Sequence, residues 1–437
     1  MGEANRLREL VADNDWTYQA FSAQFEQAAR RVAERDKEPR LARVSVSEST
    51  FRRWTAGALR TSPNGDVRRV LTELFDCPAD ELFAPAPVVV RAPAPAVEAP
   101  RVSIRENIAM AARNALRFTA MSQTGTDSAV IEDLMAEAAR IAALYPTTPL
   151  YEFLGDLVNL QEVTYQLLES RQRIKVQRDL HLIAALSSGL LAKASHDQAD
   201  PRNAMILARA AYVSAEDAGH PGLQGWIRGI QALTAYWAGW TQQAADFAAQ
   251  AQNETLAGTV TAWLPALEAR AHASLGDHDR AHAALKKAQT ARDHLHLSDL
   301  DEFGGLLTFP AAQQLYYRAE ALVLDDPTSP AALEAANQAV TAYSDPDQGH
   351  WAFGDEAGSR AHQAVALIAS EHFDGAAESL EPVFNLPTAQ RTHGIAVCVQ
   401  RAKEALPAPA AGQTRLINQL RRSAEEFDHS TLKALTK

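Results

Sequence analysis

The most restrictive feature of this chain is a unit that recurs along its C-terminal part: the end of one helix, a short turn, and a restart around an alanine. It reads "YWAGWTQQAADFAAQAQ" from Tyr236, "ASLGDHDRAHAALKKAQ" from Ala273, "ALVLDDPTSPAALEAANQAV" from Ala321 and "LIASEHFDGAAESLEPVF" from Leu367. Ala204, Ala244, Ala281, Ala332 and Ala376 occupy the restart slot at spacings of 40, 37, 51 and 44 residues. A small side chain held at one slot marks a place where two helices touch closely. A single helix pair cannot bury its apolar face alone, so such units must stack. Helical spacing runs from Ile104 to about Lys433, interrupted by "YPTTP", "AGHPG", "DDPTSP", "SDPDQG" and "NLPT". Almost nothing in this stretch resembles a strand, and the expected fold class is all-α.

At 437 residues, 46% of them hydrophobic, the chain is long enough for two or three units, each with its own core. The boundary falls at "FAPAPVVVRAPAPAVEAPRV", where Pro85, Pro87, Pro93, Pro95 and Pro100 favour extended polyproline geometry and stop any helix. An edge strand starting at Val88 is the alternative. As a linker, residues 85–102 span up to about 55 Å at ~3.1 Å per residue. The expected domains are therefore 1–84, the linker 85–102, and a helical array at 103–437. Cys77 and Cys398 show no metal or redox spacing, and no apolar run suits secretion or a membrane span. The expected location is the cytoplasm, with no membrane partner.

The net charge is -12, which argues against a surface that coats nucleic acid throughout, but the charge is polarised. From Arg30 to Arg69 there are eleven basic residues against five acidic ones, a local excess of six. Within this segment Ser47 can cap a helix that stops at Gly57, and at about 100° per residue Thr50, Phe51 and Trp54 share one side. Glu48, Ser49, Arg52 and Arg53 take the other. Such a face suits the major groove: arginine binds guanine bidentately, glutamate accepts from cytosine, and Ser47 at the helix start meets a phosphate. Arg60 is a candidate phosphate contact. An ordinary solvated helix face is the bland alternative. Further helices are expected around Leu7 and Leu10, from about Thr17 through Val32, over Asp66–Phe75, and over Ala79–Phe83.

The run "VSVSESTFRRWTAGALRTSPNGDVRRVLTELFDCPADELF" resembles the Cro/repressor-like, xenobiotic-response-element type of helix-turn-helix family. Pro78, Asp80, Glu81, Leu82 and Phe83 match its closing motif, and Ser47 to Ala56 corresponds to its recognition helix. Thr55 departs from the family's usual acidic residue, and "FSAQFEQAARRVAERDKEPRLAR" is an unusually long extension before the turn. The repeated unit, "LGDHDRAHAALKKA" above all, looks like tetratricopeptide repeats, whose stacking builds a concave groove for peptides or partner proteins. The whole layout resembles actinobacterial-type regulators with a repressor-like head and a tetratricopeptide-like sensor. That resemblance implies operator DNA as a partner, homodimerisation through the array, and a peptide, small-molecule or protein ligand in the groove. The competing expectation is an interaction scaffold that never reads DNA.

In the array, Trp226, Ile230, Leu233, Trp237 and Trp240 form one helical stripe, which core packing explains better than a ligand cage. Arg228 and Gln231 lie off this stripe, as Glu268 and Arg270 lie off that of Leu264, Leu267 and Ala271. All four are candidate groove residues, although a solvated face explains them equally well, and Tyr317 and Arg318 are further candidates. His278 and His282 have i, i+4 spacing, but His278 sits in a repeat turn with no carboxylate or third histidine placed to complete a metal site, so no metal is expected. "HLH" at His294 and His296 is no better placed. With no strand to precede a glycine-rich phosphate loop and no catalytic constellation, neither a cofactor nor an enzymatic activity is expected.

Overall fold

A computed structural model describes residues 5–13, 16, 18–55, 63–75, 77–83, 128–170, 172–252, 256–408 and 415–435. Every regular element among them is a helix. Among the described residues no helix is long and apolar enough to cross a membrane. Contacts divide the chain into two compact units, Met1–Arg101 and Val102–Lys437. The proline-rich segment 85–102, the helical start at Ile104, Ala56, Gly57 and Arg60 lie outside the described residues, as does the side chain of Arg52.

The first unit contains α1 (Arg6–Asp13), α2 (Tyr18–Asp36), α3 (Glu48–Thr55), α4 (Gly65–Phe75) and α5 (Ala79–Leu82), with a 3-10 turn at Pro39–Arg43. Leu7, Phe21, Phe25, Phe51, Trp54, Val70, Leu71 and Leu82 form its core. The three-to-four residue spacing of Phe21, Phe25, Ala28 and Val32 makes α2 amphipathic, and all four are buried. Capping defines the short helices. Ser47 Oγ accepts from the Thr50 N–H at 3.3 Å to open α3, and Asn64 Oδ1 accepts from the Val67 N–H at 2.9 Å to open α4. The long extension in the sequence, residues 21–43, becomes nearly all of α2 and the 3-10 turn before α3, where Leu41 anchors the connection in a small cluster with Val32 and Ala33.

The second unit begins with α6 (Ser128–Leu144) and α7 (Leu154–Glu169). There follow α8 (Ile174–Asp197), α9 (Pro201–Asp217), α10 (Pro221–Trp237), α11 (Thr241–Gln250), α12 (Val260–Ser274), α13 (His278–Asp293), α14 (Ala311–Asp325), α15 (Pro330–Ala342), α16 (Phe353–Ala369) and α17 (Phe373–Phe384). α18 (His393–Ala405) and α19 (Arg415–Leu435) end it. Helices pack in consecutive pairs: α8 with α9, α10 with α11, α12 with α13, α14 with α15, α16 with α17. The slot alanines Ala204, Ala244, Ala281, Ala332 and Ala376 lie on the second helix of each pair, and all are buried. Proline at the first helical position, with Asp200 or Ser329 accepting from the N–H three residues on, starts α9 and α15.

The first helices of the pairs also touch one another in order, α8 to α10 to α12 to α14 to α16, forming an inner row. α18 extends that row from α16 and makes further contacts with α10 and α8. The inner row thereby closes on itself.

Candidate functional site

The closed inner row surrounds a cavity of about 480 Å³. Its wall draws on every inner helix: Lys193, His196 and Asp197 from α8; Trp226, Ile230, Leu233 and Trp237 from α10; Trp263 and Arg270 from α12; Tyr316 and Tyr317 from α14; Asp355 from α16; Ile395 and Cys398 from α18. Three further segments complete it, Ala143–Thr147 at the end of α6, Gly304–Pro310 after α13 and Gly349–Ala352 before α16. This is the size and mixed lining of a small-molecule site, mostly apolar with a few convergent polar groups.

The rings are accommodated by glycines inside helices. A Cβ on Gly189 would stand 2.6 Å from Trp226 Cζ3, and one on Gly229 would stand 2.2 Å from Trp263 Cζ3. Both helices accept the propensity cost of glycine so that an indole can lie against the backbone. The Trp226 indole N–H donates to Leu306 O at 3.1 Å, holding the Gly304–Pro310 loop against the wall.

Arg270 is the central charge, with its side chain 1% exposed. Its guanidinium carbon lies 4.0 Å from the Tyr317 ring centre, 4.6 Å from that of Tyr236 and 5.1 Å from that of Trp237. Nη2 is 2.5 Å from Glu320 Oε2. Glu320, fully buried, also accepts from Arg401 Nη1 and Tyr236 Oη, each 2.6 Å from Oε1. Burial opposes ionisation of Glu320, but Arg270, His362 and Arg401 outweigh it and hold the carboxyl at about 2. Burial pushes the Tyr317 hydroxyl up to about 12 and the Cys398 thiol up to about 12, so both stay protonated, and lowers His362 to about 4, leaving it neutral at pH 7. Nε and Nη1 of Arg270 have no hydrogen-bond partner.

The other carboxylates on the wall find their donors within the protein. Asp197 accepts from Lys193 Nζ, 2.6 Å from each oxygen, and from Tyr145 Oη at 2.8 Å. Asp355 accepts from Tyr343 Oη at 3.0 Å and from Gln313, and burial raises it above the ordinary aspartate value. His196, buried beside Asp197, is pushed down to about 3 by burial and is neutral.

Of the six candidate groove residues, only Arg270 and Tyr317 line this cavity. Glu268 is two residues from Arg270, so the two leave α12 on different sides. It meets Gln252 Nε2 at 2.8 Å and Lys287 instead. Arg228 stacks over Tyr212 at 4.1 Å and donates to Gln231 at 2.9 Å, while Arg318 is exposed beside Gln338. The tryptophan stripe is both packed and cavity-lining from Trp226 to Trp237, whereas Trp240 is 42% exposed at the start of α11. Sequence reasoning passed over Lys193, His196, Trp263, Tyr316, Glu320, Asp355 and Arg401, which come from segments with no shared local spacing. The glycines of α8 and α10 were the available signal.

In the first unit, Phe51 and Trp54 are buried, while Ser47, Glu48, Ser49 and Arg53 are exposed. Phe51 packs 4.6 Å from Phe21, and Asn5 Nδ2 donates to Trp54 O at 2.8 Å, fixing both ends of α3. Arg53 folds onto its own helix, with Nη2 donating to Thr50 Oγ1 at 3.2 Å. Much of the local basic excess meets carboxylates: Arg31 and Arg35 reach Glu73, Arg40 reaches Glu38 and Asp66, and Arg69 reaches Glu38. These pairs are exposed and screened by solvent, so each contributes little to stability.

The histidines of α13 have a carboxylate after all. Asp325, at the end of α14, contacts His278 Nδ1 and lies 3.0 Å from His282 Nε2, a juxtaposition hidden in sequence by more than forty residues. No group of three or more ligating side chains suited to a metal ion occurs among the described residues. No family model, curated protein or solved structure matches the chain.

Proposed function

We propose that the chain is a ligand-responsive, DNA-binding transcriptional regulator of the cytoplasm. The first unit acts as a helix-turn-helix head with α3 as its reading helix. The second is a tetratricopeptide-like solenoid that receives a ligand and joins two copies. The observation that carries the reading is α3: two aromatic side chains anchor it in the core, while Ser47 at its start and Glu48, Ser49 and Arg53 along it are exposed. Those side chains are the types that meet base edges and phosphates. The paired helices with buried slot alanines support the solenoid part, and the closed inner row favours a small molecule over an extended peptide in an open groove.

The two units are coupled if the ligand prefers one curvature of the inner row. A preference of about 1.4 kcal/mol shifts operator affinity tenfold. The test is recovery of genomic fragments by the full-length protein at moderate salt. Enrichment of a common, two-fold symmetric sequence is expected, and Arg52→Ala or Arg53→Ala weakens binding to it by about 1–3 kcal/mol while relaxing preference at one base position. Binding no better than to random DNA leaves the interaction scaffold as the function.

A further inference from the structure

We propose that the cavity enclosed by the inner row receives a compact, flat aromatic molecule carrying an acidic oxygen group, and that Arg270 binds that group. The inference rests on the reading of the cavity as a ligand site and names the ligand's chemistry.

Three observations converge. Trp226, Trp237, Trp263, Phe309, Tyr316 and Tyr317 present aromatic surface to the cavity, which rewards a flat unsaturated ligand over a branched aliphatic one. Arg270 is 99% buried, and its Nε and Nη1 donors have no partner. Leaving buried donors unsatisfied is costly, and an accepting oxygen recovers that cost. Finally, the carboxylates of the wall are committed: Asp197 to Lys193 and Tyr145, Asp355 to Tyr343 and Gln313. Glu320, behind Arg270, is held by Arg401 and Tyr236. A cationic ligand would have to displace internal donors, whereas an anionic one meets an arginine with donors to spare. A volume of about 480 Å³ admits two or three linked rings and excludes a folded peptide segment.

The probes are anilinonaphthalene sulfonate and its neutral parent, N-phenylnaphthylamine, which share one ring skeleton and differ in the sulfonate. Binding to the full-length protein is read by energy transfer from tryptophan, since Trp226, Trp237, Trp263 and Trp351 border the cavity. The sulfonate is expected to bind at one site per chain and at least about tenfold more tightly than the parent. Arg270→Met abolishes that preference while the parent still binds. If Arg270→Met alone does not fold, Arg270→Met with Glu320→Gln removes both charges and keeps the comparison. Equal or weaker binding of the sulfonate by the unaltered protein overturns the inference while leaving a ligand site. Energy transfer to neither probe overturns the ligand site as well.

Discussion

Arg270 and Glu320 are both buried and bind one another, and each is costly without the other. Arg270→Met should lower the unfolding free energy of the second unit by about 3–5 kcal/mol, because Glu320 loses its closest cation, and adding Glu320→Gln should restore part of the loss. Denaturant titration of the single and double variants checks both statements. The buried histidines make a separate prediction. Unfolded, His196 and His362 titrate near the ordinary 6.5; folded, burial holds them to about 3 and about 4. Below pH 6.5 the unfolded chain takes up protons that the folded chain refuses, so stability falls as pH drops from there. Each histidine should contribute a loss of about 2 kcal/mol between pH 7 and pH 5, before Glu320, depressed to about 2, adds its own loss below about pH 4.5. His362→Gln should flatten the profile in the upper window, measured as midpoint against pH. In the first unit, Phe51→Ala opens a cavity beside Phe21 and Tyr18 and should cost about 3–5 kcal/mol, enough to unfold so small a core.

Among the elements, α10 and α12 show how the cavity wall is built. α12 is buried on nearly all sides from Val260 to Ala273, so it has no polar face to orient it. Its register is set by what its neighbours leave open, and the space for Trp263 is the missing side chain of Gly229. Replacing that glycine with alanine improves intrinsic helix propensity by about 1 kcal/mol, yet the new methyl group lands on the indole. The net expectation for Gly229→Ala is a loss of about 1–3 kcal/mol with a shifted tryptophan emission as the ring is pushed toward the cavity. A stabilised protein with unchanged emission would show that the ring has room elsewhere.

For the whole molecule, the proposed division of labour predicts an assembly. Operator readers with two-fold symmetry gain from holding two heads together, and the second unit offers exposed apolar side chains such as Tyr151 and Val158 near the start of α7 and Ile206 and Val213 on α9. The chain should be a homodimer at micromolar concentration, and removal of residues 1–84 should leave it dimeric while abolishing DNA binding. Light scattering on both forms is the measurement, and a monomeric fragment would place the dimer contact in the first unit or remove it.

The sequence by itself determined the helices and their breaks, because capping serines and aspartates, prolines and apolar spacing act within a few residues of chain. It also marked the slot alanines, whose small size is a local property even though its reason lies in a neighbouring helix. The inward side of α3, with Phe51 and Trp54, was legible from periodicity alone. The polar candidates of the array were not sorted by the same means: Arg228, Glu268 and Arg270 all lie off an apolar stripe, and only the neighbours decide that Arg228 stacks on Tyr212 while Arg270 enters the cavity. Tertiary structure decided the site itself. Tyr236, Glu320 and Arg401 stand more than eighty residues apart in pairs and meet at one carboxylate because α18 packs back on α8 and α10. Periodicity reports which side of a helix is apolar, but closure of a row of helices depends on small rotations accumulated over every pair, and no single stretch of sequence contains that sum.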